Sequence, residues 1–303
     1  MAAMQNIPYI HLLCLEQKNI DAFQAALRKY WPDDRRQPAP VQETTPGPEP
    51  QTNPQISTNI AGPLVSQVAA VATRVFNTQP SEPPVVPRLN IEIHNNSLKT
   101  LPETVQYDLI VSPANSYGLM DGAFDDAISR AFREEGGDYY DLTNAVQRSL
   151  YDKWRGFAPP GTCTLVPFPE NLIPEANPKN RWGCKWVAVC PTMRTPNDVR
   201  WDREVVYECV WSLLNEVERW NRTLDVDLPS NAPQLRQPIE SILITPMATG
   251  CGQVSPERWA EQFVLALRQF VEAVTEPEKW SHLRWDDVYA DTEEVEATWK
   301  EKS

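Results

Sequence analysis

Two segments of the chain carry glycine, amide and hydroxyl side chains in an order that could hold an anion. The first reads Pro113-Ala114-Asn115-Ser116-Tyr117-Gly118-Leu119-Met120-Asp121-Gly122-Ala123-Phe124-Asp125-Asp126. The second reads Pro246-Met247-Ala248-Thr249-Gly250-Cys251-Gly252-Gln253-Val254-Ser255. Each follows a short apolar run and leads into a helical pattern. Glycine lets backbone N–H groups approach a phosphate closely, and a following helix start adds positive partial charge. Each segment also has a plainer reading. Gly250 and Gly252 could serve a turn that needs positive φ, Asn115 a local side-chain turn, and Asp125 with Asp126 a helix dipole. Neither G-x-G-x-x-G nor the Walker pattern occurs, which argues against ordinary dinucleotide dehydrogenases and P-loop ATPases.

Other reactive side chains give weaker signals. Cys251 sits in the second segment, where a thiolate nucleophile would need a base or cation, and no histidine accompanies it in sequence; a small packing residue is the favoured reading. Arg194 could pair with a terminal phosphate or stand as a solvated loop charge, with nothing to choose between them. Six cysteines without a C-x-x-C pair read as reduced thiols. His11, His94 and His282 have no zinc-ligand spacing, so no metal ligand set is legible and no cofactor is expected.

The elements that must position these segments alternate along the chain. Ile7–Leu15, Leu89–His94, Tyr107–Ser112, Thr162–Val166, Trp186–Cys190 and Ile239–Thr245 read as strands. Several are almost continuously apolar, as a sheet covered on both faces requires. Helical patterns cover Asn19–Tyr30, Ala123–Glu134, Asp141–Trp154, Asp202–Trp220 and Pro256–Val274. In the last two, apolar residues recur every three or four positions, and Ser255-Pro256 supplies a cap followed by proline at the first helical position. The pattern predicts an α/β fold with a mostly parallel sheet between helical layers. Ligands of such sheets bind outside the carboxyl ends of the strands, so both segments at one edge would make a diphosphate-binding cleft.

Composition bounds the rest. The 303 residues suffice for a large domain or two small ones. With 28 Lys and Arg against 41 Asp and Glu, a formal charge of −13, a surface tracking a phosphate backbone is not expected. No apolar run approaches the ~20 residues of a membrane span and no secretory leader is visible, which predicts a soluble chain of the cytoplasm and/or nucleus. Residues 32–88 hold 12 of the 29 prolines and read as a largely disordered insertion. It separates a first strand and helix in 1–31 from the remainder of the domain in 89–275. Residues 276–303 form an acidic tail with Trp280, Trp285 and Trp299, read as a partly docked helix, with a partner-binding segment as the alternative. Oligomeric state is not legible.

Asp108–Ile128 (DLIVSPANSYGLMDGAFDDAI) resembles the macro domain's strand, asparagine-containing loop and glycine-rich helix start, and Pro246–Gly252 (PMATGCG) resembles that family's phosphate loop. The first loop is similar to fungal macro-like proteins of the ADP-ribose-1″-phosphate phosphatase type. The resemblance covers about residues 5–30 and 89–275. It implies a macro-domain-like three-layer α/β/α sandwich with a mixed, mostly parallel sheet. It further implies binding of ADP-ribose or a derivative, free or on an ADP-ribosylated protein. The open alternatives are hydrolysis at the distal ribose (ADP-ribose-1″-phosphate phosphatase or mono-ADP-ribosyl hydrolase), a non-catalytic reader, and a macro-fold interaction protein. Carried over residue by residue, Asn115 would hydrogen-bond the distal ribose and Asp125 would activate water, ionised by its place at a helix start. Asp121-Gly122-Ala123 stand at a glycine triplet, flanked by Ser116, Gly118 and Phe124, and Thr249, Gly250, Cys251 and Gly252 would wrap the diphosphate. The family's adenine-binding aspartate is replaced by Asn95-Asn96-Ser97-Leu98, which leaves Ser97 as the acceptor for the base.

Overall fold

The computed structural model describes residues 8–31, 90–224 and 237–300. The chain divides into two units, Met1–Gln37 with Val86–Ser303 and Pro38–Val85. The proline-rich insertion expected over 32–88 lies outside the described residues.

Each of the six apolar runs yields a strand, the fourth reaching one residue beyond its run: β1 (Tyr9–Leu13), β2 (Ile91–His94), β3 (Leu109–Ser112), β4 (Thr164–Pro167), β5 (Trp186–Val189) and β6 (Ser241–Ile244). They form one sheet in the order β2-β1-β6-β3-β5-β4, parallel except for β4 against β5. The helices are α1 (Gln17–Tyr30), α2 (Ala123–Phe132), α3 (Asp141–Trp154), α4 (Val205–Leu224) and α5 (Pro256–Thr275), then α6 (Pro277–Trp280) and α7 (Trp285–Glu296). No described helix is long and apolar enough to cross a membrane.

Successive side chains of a strand point to opposite faces, so a run such as Leu109-Ile110-Val111 feeds two cores at once. Leu109 and Val111, with Ile242 and Ile244, pack under α1, α4 and α5. Ile110, Leu243, Val187 and Val189 pack under α2 and α3. The result is a three-layer α/β/α sandwich with a mixed, mostly parallel sheet, the architecture the macro resemblance implies. Phe23 of α1 stacks on Trp259 with ring centroids 5.9 Å apart and meets Phe263 edge-on at 5.6 Å. All three rings are buried, each contributing about 1.5–3 kcal/mol by removal from water.

Local signals set the helix that matters most for the site. At α5 the Ser255 hydroxyl accepts from the Arg258 N–H at 3.2 Å and Pro256 opens the first turn. The helix expected from Asp202 starts instead at Val205. Arg258 donates to the Asp202 carbonyl and Gln262 to the Arg203 carbonyl (2.6 Å), so α5 side chains occupy acceptors that a first helical turn would use. After α5 the described chain packs back onto the domain. Trp280 lies 5.4 Å from the Trp211 ring, Arg268 pairs with Glu294, Val295 is buried, and Arg203 sits 4.4 Å over Trp299.

Candidate binding site

β3 and β6 are adjacent and parallel, so the segments that follow them leave the same edge of the sheet side by side. The strand that follows in order, β5, sends Pro191–Arg194 along the first loop. Asn115 bridges to Met193, and the Ser116 N–H donates to the Met193 carbonyl at 2.9 Å. Cys251 of the second loop approaches the same methionine, Sγ to Sδ 3.6 Å. Met193 is thus the shared floor of the two loops.

The loop after β6 presents its backbone. Among the described residues, the N–H groups of Thr249, Gly250, Cys251 and Gly252 donate to no other protein group. The loop is closed behind them by Gln253 N–H to the Gly250 carbonyl (3.0 Å) and Val254 N–H to the Ala248 carbonyl (3.1 Å). Gly250 and Cys251 are exposed, and a Cβ on Gly250 would meet nothing within 4 Å. At the start of α2, capped by Gly122, the N–H groups of Gly122, Ala123 and Phe124 are likewise without a protein partner among the described residues. Four described non-glycine residues have positive φ, and three of them, Ala123 (49°), Ala248 (58°) and Gln253 (57°), belong to these two loops. Such backbone costs of order 1–3 kcal/mol per residue and collects where function holds it.

The side chains of the first loop are arranged differently from the expectation. Asn115 spends its amide on its own loop: Nδ2 donates to the Leu119 carbonyl at 2.8 Å, and Oδ1 accepts from the N–H groups of Tyr117 (3.0 Å) and Leu119 (3.4 Å). The local turn, rather than an outward ribose contact, is its bonding here. Ser116 is fully buried and its hydroxyl donates to the Met193 carbonyl at 3.2 Å, so it faces the sheet and not a ligand. Gly118 has φ +66°, and a Cβ on it would stand 2.5 Å from Val146 Cγ1 and 2.8 Å from Leu150 Cδ1. Close packing on α3 therefore requires a glycine here. Gly118→Ala is expected to lower stability by about 1–3 kcal/mol through overpacking and backbone strain, measurable by urea unfolding.

Asp125 departs furthest. It is only 6% exposed and lies beneath the loop, its Oδ1 accepting from the Ser112 hydroxyl at 2.6 Å. Burial pushes its carboxyl up to about 7, against the pull of the Ser112 hydrogen bond, with the Asp121 charge adding to the rise. The expectation that the helix start keeps it ionised fails because desolvation outweighs the helix dipole. Asp121 and Gly122 are exposed, while Phe124 is half-buried against the α2–α3 core. Ser97 lies past β2, where it caps the turn Leu98–Thr100: its hydroxyl contacts Thr100 Oγ1 at 3.0 Å and accepts from the Thr100 N–H at 3.2 Å. An adenine would compete with that cap for the same oxygen.

Arg194 supplies the positive charge at this edge. Its Nε donates to the Tyr117 hydroxyl at 3.0 Å and its guanidinium lies 5.1 Å over the Phe157 ring. Tyr117 and Phe157 have no motif to betray them, since their meeting depends on the loop after α3. Elsewhere, an open groove of about 420 Å³ between the turn at Pro160–Thr162 and α4 is lined by Tyr207, Glu208, Trp211 and Trp280. Its one charged side chain is a carboxylate, which does not suit a phosphate.

The structure also brings together residues that sequence spacing separates. The register of β1 on β2 pairs His11 with Glu92 and Leu13 with His94, placing both histidines and the glutamate on one face. Sequence spacing gives no sign of this grouping; it follows from period-two alternation in two strands far apart in the chain.

No protein-family model matches the chain, and no curated protein matches it. Among solved structures it is similar to the Oceanobacillus iheyensis macrodomain with MES bound, at 15% identity over 63% of this chain and 85% of that one, TM-score 0.36. It is similar as well to the same macrodomain with ADP (14% identity, 55% of this chain and 85% of that one, TM-score 0.28). A mutant of that macrodomain with ADPR matches at 13% identity over 57% of this chain and 91% of that one, TM-score 0.29. At such low identity and overlap, the fold of this chain rests on its own strand order and layers.

Proposed function

We propose that this chain is a macro-like module that binds ADP-ribose or a derivative of it, with the diphosphate held between the loops after β3 and β6. The observation that carries the reading is the pair of loops itself. Two adjacent parallel strands launch segments whose backbone N–H groups, at Gly122–Phe124 and Thr249–Gly252, have no protein partner among the described residues, and each segment runs into a helix N-terminus. Arg194, held on Tyr117 of the first loop, can take a terminal phosphate or the distal end of the ligand. The sequence resemblance names the ligand class; the geometry supports an anion held by backbone N–H groups.

Gly250→Glu is expected to abolish ADP-ribose binding while shifting the unfolding midpoint little. The side chain enters open space rather than protein, adding bulk and negative charge where the diphosphate would lie. Calorimetric titration with ADP-ribose, AMP and NAD, on wild type and variant, measures it. No heat with wild type at millimolar ADP-ribose sinks the reading.

Hydrolysis at the distal ribose, of ADP-ribose-1″-phosphate or of an ADP-ribosylated protein, is a second reading with one observation in its favour. A carboxyl held at about 7 is near the pH at which a general acid or base works best. Against it stand the burial of Asp125 and its bond to Ser112, so the binding function is the one the site supports best.

A further inference from the structure

We propose that His11, Glu92 and His94 form a binding site for a divalent transition-metal ion of the zinc class, on the face of the β1–β2 edge of the sheet. Three potential ligand atoms converge there. His11 Nδ1 and His94 Nε2 are 3.0 Å apart, and one oxygen, Glu92 Oε2, lies 3.7 Å from the first and 3.8 Å from the second. Ligand bonds of about 2.0–2.1 Å at tetrahedral angles put neighbouring ligand atoms about 3.3 Å apart. The observed triangle needs shifts of only a few tenths of an ångström to become one face of such a tetrahedron.

The surroundings match what ligating side chains require. His11 turns Nδ1 toward His94 Nε2, so each ring presents one nitrogen to the same point. The Tyr9 hydroxyl donates to Glu92 Oε2 at 3.2 Å and orients the carboxylate. Both imidazoles are buried, 7% and 8% exposed, while Glu92 is open to solvent, so an ion could enter from the carboxylate side and complete its shell with water. Without metal, one ring must donate its N–H to the other. Metal binding would replace that shared N–H by two bonds from the nitrogen lone pairs. Two imidazoles and one carboxylate suit Zn²⁺, and also Co²⁺ and Ni²⁺, better than Ca²⁺ or Mg²⁺. An ion here would clip edge strand β2 to β1 across a sequence separation of 83.

The test uses the full chain without a histidine tag, stripped with chelator and titrated with ZnCl₂ and, separately, CoCl₂. Wild type should take up one equivalent of Zn²⁺, melt at a higher temperature in its presence, and give the intense visible absorption of four-coordinate Co²⁺. His94→Asn should lose the stoichiometric binding. Glu92→Gln, at an exposed position that does not threaten the fold, should weaken it by about 100-fold. Absence of Zn²⁺ uptake by wild type overturns the proposal. So does binding by Glu92→Gln equal to wild type, since the ion would then sit elsewhere, for instance at the exposed Cys251.

Discussion

Asp125→Asn should make the protein more stable at pH 8 than wild type, and the gain should vanish on acidification. The carboxyl is held at about 7 in the folded chain against an ordinary 3.8. Below about pH 4 it is protonated in both states and the site contributes no pH dependence. Between 3.8 and 7 the native state keeps its proton and the unfolded state does not, so native stability falls as pH rises through this window. Above 7 the loss is complete, about 4 kcal/mol at the upper limit for a shift of about three units. Asparagine keeps the shape and can still accept the Ser112 hydroxyl, but has no charge to desolvate. Urea unfolding of both proteins at pH 4.5, 6 and 8 should show curves that separate by about 2–4 kcal/mol toward pH 8. Parallel curves would mean that Asp125 is not buried as described. The same variant decides the chemistry: phosphate release from ADP-ribose-1″-phosphate that drops about 10²–10⁴-fold makes Asp125 an acid–base residue, whereas equal release removes that role.

Gly252→Ala should collapse the loop after β6, in contrast to its neighbour Gly250. A Cβ at Gly252 would stand 2.5 Å from the Ala248 carbonyl oxygen and 3.0 Å from Val199 Cγ2. That oxygen belongs to backbone and already accepts from the Val254 N–H, while the Gly252 carbonyl accepts from the Val199 N–H at 3.0 Å. Neither neighbour can swing away as the tip of a long side chain would. A loss of about 2–4 kcal/mol is expected, together with loss of ADP-ribose binding because the free N–H groups are no longer aligned. Gly250→Ala, where the same atom enters open space, should stay within about 0.5 kcal/mol of wild type. Urea midpoints and calorimetry on the two variants side by side give the comparison, and equal midpoints would refute the loop geometry.

Much of the scaffold was legible because it depends on local rules. Apolar runs such as Ile239–Thr245 announced strands, three- and four-residue spacing announced α4 and α5, and Ser255-Pro256 marked a helix start within the residue. Strand ends are less legible: among the described residues of the run Ile7–Leu15 the strand covers Tyr9–Leu13, since hydrogen-bonded pairing with β2 and β6, not hydrophobicity, sets its length.

Periodicity and turn chemistry act over a few residues, so the α/β layering and the two glycine-bearing loops after apolar strands can be read from the chain alone. What each loop residue does depends on partners that folding brings from elsewhere in the chain. Gly118 and Gly250 are the same residue, yet one is held by Val146 and Leu150 of a distant helix and the other faces open space. Asp125 looks from sequence like an exposed first-turn acid, and burial under the first loop raises its carboxyl to about 7. His11 and His94 meet only because β1 and β2 pair in parallel across 83 residues, and register, which no short-range pattern encodes, is what puts their nitrogens 3.0 Å apart.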